Sequence, residues 1–125
     1  MTILSYRDLR VWQQAMDLAA NCYRATGSFP KSETYGLSGQ IRRAAASVPA
    51  NIAEGNGRET TGSYIQFLRI SQGSLKELET HLMLSERVGI TTSETVNPLL
   101  AECQSVGTLL RLLIRSLQEK QKTSD

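Results

Sequence analysis

Apolar residues recur at three- and four-residue steps through most of this chain, in four successive segments punctuated by glycine and proline. In the first segment Leu9, Trp12, Ala15, Met16, Ala19, Cys22, Tyr23 and Thr26 gather on one side of a helix. Ser5 with Asp8 supplies a capping box and Gly27 with Pro30 a stop, which predicts a helix over 8–26. The second segment, 34–56, carries Leu37, Ile41, Ala44, Ala45, Val48 and Ile52, a small-residue stripe that implies close packing; Ser32 and Ser38 are its candidate N-caps. Pro49 lies inside this pattern, where it removes a backbone donor and crowds the preceding turn. The apolar spacing stays in phase through Ile52 to Gly55-Asn56-Gly57, so the expectation is one helix kinked at Pro49.

The third segment, 60–88, aligns Tyr64, Leu68, Ser71, Leu75, Leu78 and Leu82 in a heptad-like seam that ends at Gly89. The fourth, 93–121, is the most regular, with Val96, Leu99, Leu100, Cys103, Val106, Gly107, Leu110, Leu113, Ile114 and Leu117 in phase. Its start has two readings: Thr91 with Glu94 forms a capping box, whereas Pro98 prefers a first turn. Short connections between helices of similar length favour antiparallel neighbours. The fold class expected is all-α, a single up-down-up-down four-helix bundle over 1–125.

Composition narrows function more than it defines it. A chain of 125 residues with 40% hydrophobic and 21% charged residues builds one core and is not disordered. No window is apolar enough to cross a bilayer and no leader pattern opens the sequence, so a soluble cytoplasmic protein is expected. Cys22 and Cys103 lack Cys-x-x-Cys spacing and read as core residues. His81 is the only histidine; with Glu77 one turn away it offers too few ligands for a metal. Ser47, Ser71 and Ser74 lack a nucleophile elbow, and the glycines of 55–57 follow no strand. No catalytic site, cofactor or metal is expected.

Two helices show a second face. Ile70, Gly73, Leu84 and Val88 point away from the third segment's seam, as do Leu109 and Leu112 on the fourth, which suggests self-association into a homo-oligomer. A polar stripe on the second segment, Gln40, Arg43, Ser47, Asn51, Glu54 and Arg58, is either a solvated face or a hydrogen-bonded network at a subunit boundary. The candidate oligomer residues are therefore Ile70, Leu84, Leu109, Leu112, Asn51 and Glu54. Net charge is only +2, yet Arg69, Lys76 and Arg87 form one line, and Arg111, Arg115 and Lys122 another. With Arg10, Arg42, Arg43 and Arg58 these make a candidate phosphate-binding surface for RNA or DNA, since sequence-independent affinity comes mainly from Lys and Arg.

Particular strings add a resemblance. Asp8-Leu9-Arg10-Val11-Trp12-Gln13-Gln14-Ala15, Phe29-Pro30, Tyr35-Gly36-Leu37 and Gln40-Ile41-Arg42-Arg43-Ala44 resemble the bacterial family of proteins encoded in intervening sequences of 23S ribosomal RNA genes. So do Ser47-Val48-Pro49-Ala50-Asn51-Ile52-Ala53-Glu54-Gly55, the most specific of them, and Gly73-Ser74-Leu75-Lys76-Glu77-Leu78-Glu79. The resemblance implies a closed four-helix bundle, commonly a ring-shaped homopentamer, without known enzymatic activity. It extends to the accessory proteins of diversity-generating retroelements, which partner a reverse transcriptase and bind nucleic acid. Arg42, Arg43, Asn51 and Glu54 match the family motif. Two functions follow as expectations: an oligomeric RNA or ribonucleoprotein accessory factor, or a protein scaffold with no nucleic-acid affinity of its own.

Overall fold

The computed structural model describes residues 5–124; residues 1–4 and 125 of the expected domain lie outside them. Four helices follow in order, α1 (Arg10–Thr26), α2 (Leu37–Asn56), α3 (Thr61–Arg87) and α4 (Ser93–Ser124), with no strand among the described residues. Each packs against its neighbours in sequence, and α1 against α4 closes the ring; among the described residues the diagonal pairs do not meet. This is the four-helix bundle that the apolar periodicity predicts. Its α2–α3 and α3–α4 connections are too short for anything but antiparallel neighbours.

Helix ends depart from the expected caps for identifiable reasons. Ser5 caps a short 3₁₀ turn over Tyr6–Asp8, its hydroxyl accepting from the Arg7 N–H at 3.1 Å, and Leu9 is extended, so α1 starts at Arg10 and not at 8. Neither Ser32 nor Ser38 caps α2. A second 3₁₀ turn, Lys31–Glu33, intervenes, and the Glu33 carboxylate accepts from the Leu37 N–H at 3.1 Å, moving the start from 34 to Leu37. Thr60 caps α3 through its hydroxyl, which accepts from the Ser63 N–H at 3.1 Å. Gly89 stops it at φ 81°, a left-handed conformation that favours glycine. α4 opens with the Thr92 carbonyl accepting from Val96, so Thr92, not Thr91, precedes its first residue. Pro98 lies within the helix, and α4 continues three residues beyond the expected 121.

The core is the set of in-phase apolar residues with one correction. Leu18, Ile41, Val48, Ile52, Leu68, Leu78, Val96 and Leu110 are fully buried, but on α1 the stripe is rotated. Val11 and Leu18 face inward, while Met16 and Tyr23, expected on the apolar side, are 44% and 48% exposed. Cys22 and Cys103 are both buried, and burial pushes each thiol up to about 12. They are therefore neutral near pH 7 and poor nucleophiles, in keeping with a packing role.

α2 runs unbroken on both sides of Pro49, which is itself buried. Beside it the Ser71 hydroxyl donates to the Val48 carbonyl at 2.9 Å, a bond from α3 into the backbone of α2. One turn away Ser47 Oγ and Ser74 Oγ lie 2.8 Å apart, and Asn51 Nδ2 donates to the Ser47 carbonyl at 2.9 Å and to its hydroxyl at 3.0 Å. At the end of α2, Gly55 lets α3 come close: a Cβ there would stand 2.7 Å from the Phe67 Cβ and 3.1 Å from a Tyr64 ring carbon.

Leu110 is fully buried at the centre of α4. Leu110→Asp removes burial worth about 1.5–3 kcal/mol and strands a carboxylate in the core, so the expected outcome is loss of the cooperative thermal transition in far-ultraviolet circular dichroism. A variant with full helicity and an unchanged Tm would show that α4 is seated otherwise.

Candidate nucleic-acid interface

α3 turns Phe67, Ser71 and Ser74 toward α2, and Leu75 and Glu79 toward α4. Gly107 of α4 sits opposite Leu75, where a Cβ would lie 3.4 Å from the Leu75 Cδ2. Given that rotation, Lys76 and Arg111 fall on the two rims of one cleft of about 590 Å³ between α3 and α4, with Glu79, Gln104 and Thr108 in its walls. Helical repeat carries Arg69 and Arg87 along the Lys76 rim, and Arg115 and Lys122 along the Arg111 rim. Two lines that periodicity finds on separate helices thus meet across one cleft at Lys76 and Arg111.

The ionic state of that face is uneven. Lys76 Nζ pairs with Glu79 Oε1 at 3.1 Å, and Lys122 Nζ with Glu119 Oε1 at 3.7 Å. Arg69 has only the amide oxygen of Gln72, at 3.4 Å, while Arg87, Arg111 and Arg115 have no bonded partner among the described residues. Apart from these six cations and the two paired carboxylates, the chain has eight basic and ten acidic residues. The net +2 of the whole molecule therefore understates this face. The spacing of Glu79 and Glu119, three residues after Lys76 and three before Lys122, was the available sequence signal for the pairing. The contributions of Gln104 and Thr108 had none, because they depend on which helix lies opposite.

Comparison with known proteins fixes the lineage. The model of the family described as 23S rRNA-intervening sequence protein matches residues 7–111. The chain belongs to this family. No curated protein matches. Among solved structures, the crystal structure of a protein of unknown function from the S23 ribosomal protein family, from Bacteroides thetaiotaomicron, is similar with a TM-score of 0.75. It is 23% identical, and the likeness covers 83% of this chain and 97% of that one, which supports the same fold.

The family-motif residues are mostly occupied within the chain. Arg42 does not join the basic face: its Nε donates to Thr26 Oγ1 at 2.8 Å and its Nη2 to the Tyr23 carbonyl at 3.1 Å, with the guanidinium 4.9 Å from the Tyr23 ring centre. It thereby ties α2 to the C-terminal turn of α1, at a carbonyl that also accepts from the Gly27 N–H and the Thr26 hydroxyl. Arg58 likewise pairs with Glu54 at 3.1 Å and covers the Phe67 ring at 4.6 Å. Asn51 is committed to Ser47 inside the α2–α3 contact, so the polar stripe is in part an intrachain network and in part, at Arg43 and Glu54, an exposed face.

The second-face apolar residues also divide. Ile70, Leu84 and Val88 are 47%, 43% and 57% exposed on the outer and α2-facing flanks of α3. Leu112, 52% exposed, points outward on α4, as expected, about 100° round the helix from Arg111. Leu109 packs against the core and lines a small cleft with Arg10 and Gln14, so it does not point outward as expected. His81 lies 3.3 Å from Glu77 through Nε2 while its Nδ1 is buried without a partner, and no group of three potential metal ligands occurs among the described residues.

Arg42→Ala is expected to lower stability by about 1.5–3 kcal/mol in urea denaturation, because it removes charge-assisted bonds that close α1 onto α2. Exposed Arg43→Ala should stay within about 0.5 kcal/mol. Equal stabilities of the two variants would mean that the Arg42 bracket holds nothing.

Proposed function

We propose that this chain is a non-catalytic, self-associating bundle that binds nucleic acid, as an RNA or ribonucleoprotein accessory factor, through the α3/α4 face. The observation that carries this reading is that Lys76 and Arg111 line one cleft between α3 and α4, with Arg69 and Arg87 in helical line with the first and Arg115 and Lys122 with the second. Arginines without carboxylate partners are the groups suited to phosphate oxygens, since the guanidinium fork meets two of them at once. Association uses the exposed apolar residues of α3, Ile70, Leu84 and Val88, the second of which borders Arg87. A ring of such subunits would repeat a weak phosphate contact several times and so raise its effective affinity.

The test is fluorescence anisotropy with a pool of mixed-sequence RNA across a salt series. Affinity is expected to fall steeply with salt, and Arg111→Ala with Arg115→Ala should flatten the logarithmic slope by roughly 1.4–1.8, about 0.7–0.9 for each phosphate no longer neutralised. The weakening should be similar for unrelated sequences, since phosphate contacts carry no base information. Failure to bind RNA or DNA at low salt, with the protein folded, would leave the protein-scaffold function as the better reading. Light scattering addresses association: Leu84→Glu should lower the mass of the assembly while far-ultraviolet circular dichroism keeps its helical signal. A wild-type protein that is monomeric at micromolar concentration would remove the oligomer.

A further inference from the structure

We propose that the ligand of the α3/α4 face is base-paired nucleic acid, gripped at its phosphates by Arg69, Arg87, Arg111 and Arg115 and restrained by Glu79. This rests on the nucleic-acid reading above and specifies it. Surfaces that bind unpaired strands combine a basic groove with aromatic rings on which bases stack. This face has the charge and lacks the rings. Tyr6 and Trp12 contact each other edge to face at 5.2 Å, Tyr23 and Phe67 lie under Arg42 and Arg58, and Tyr64 is bonded to Asn56 at 3.2 Å. Phe29 is buried and Tyr35 stands in the loop before α2. The cleft is lined instead by Ala101, Ser105, Gly107 and Thr108, none of which can sandwich a base.

A double helix requires nothing of that kind. It presents its phosphates densely on the outside, and a protein can read it by backbone and shape. α3 with 27 residues offers a support roughly 40 Å long at about 1.5 Å per residue, on the scale of one turn of a double helix. The cations that are free to act along it are the arginines, because Lys76 and Lys122 are each held by a glutamate three residues away. The two glutamates differ. The Glu79 side chain is 17% exposed where its partner Lys76 is 77% exposed, so its carboxylate sits low in the cleft that Arg111 also lines. A phosphate entering there meets a fixed negative charge, and Glu79 therefore weakens the grip.

The experiment compares a blunt, mixed-sequence RNA duplex of about 12 base pairs with oligouridine of the same length, by anisotropy at low salt. The duplex should bind roughly tenfold more tightly or better. Arg111→Lys with Arg115→Lys keeps the charge and removes the forks, and should cost the duplex roughly three- to tenfold. Glu79→Gln should tighten duplex binding roughly two- to fivefold, with circular dichroism confirming the fold of each variant. Oligouridine bound as tightly as duplex would overturn the paired-ligand inference while leaving a polyanion face intact. Lysine variants that bind like the wild type would overturn the arginine grip, and an unchanged Glu79→Gln would overturn the restraint. Binding of neither probe would instead remove the nucleic-acid reading itself.

Discussion

The close approach of α2 and α3 is the constraint on which the rest of this bundle depends. Gly55 removes the one side chain that would collide with Phe67, and Ser71 sends a hydrogen bond into the backbone of α2 beside Pro49. The proline matters because it deprives the helix of one internal donor, to the Ala45 carbonyl, between the buried Val48 and Ile52. The Ser71 hydroxyl ties the adjacent Val48 carbonyl to α3. Ser47, Ser74 and Asn51 extend the same seam, and each bond is worth about 1 kcal/mol net only because its groups would otherwise be buried unpaired. Such a contact tolerates little sliding or rotation, since small residues and short polar side chains have few alternative partners.

Fixing α3 against α2 fixes what α3 shows elsewhere. With Ser71 and Ser74 committed to α2, Leu75 meets α4 at Gly107, and Lys76, in helical line with Arg69 and Arg87, is left across a cleft from Arg111. A rotation of α3 by one residue, about 100°, would move that basic line away from α4 altogether. The charged face is thus a consequence of packing in the core, and the small overall charge of +2 conceals it. Ile70 and Val88 are exposed on the same helix and Leu84 lines a small cleft with Arg87, so apolar and basic residues adjoin along α3.

Apolar periodicity made the four helices, their order and most of the core legible in the sequence, because a stripe repeating every 3.6 residues has one way to be buried. Pro49 within a continuous helix was legible for the same reason. Helix starts were not. Ser32, Ser38 and Thr91 have the right chemistry for caps, but two of the ends were taken by 3₁₀ turns and by the Glu33 carboxylate, local options of nearly equal energy. On α1 the apolar stripe was broad enough to admit two phases; Leu18 took the core position and Tyr23 stayed 48% exposed, with the Arg42 guanidinium on its ring.

What the sequence by itself determined is the class of fold and the presence of two basic lines, since both depend on residues near one another along a single helix. What only the tertiary structure decided is which of those residues share a surface. Arg42 and Arg58 read like Arg111 and Arg115 in the chain, yet the first two are spent on Thr26, Tyr23, Glu54 and Phe67 and the last two have no carboxylate partner among the described residues. The difference is the partner that another helix, or the next turn, brings within reach. Spacing along one helix specifies direction around its axis, but the phase of one helix against the next is set by core packing, a sum over many residues that no single segment carries.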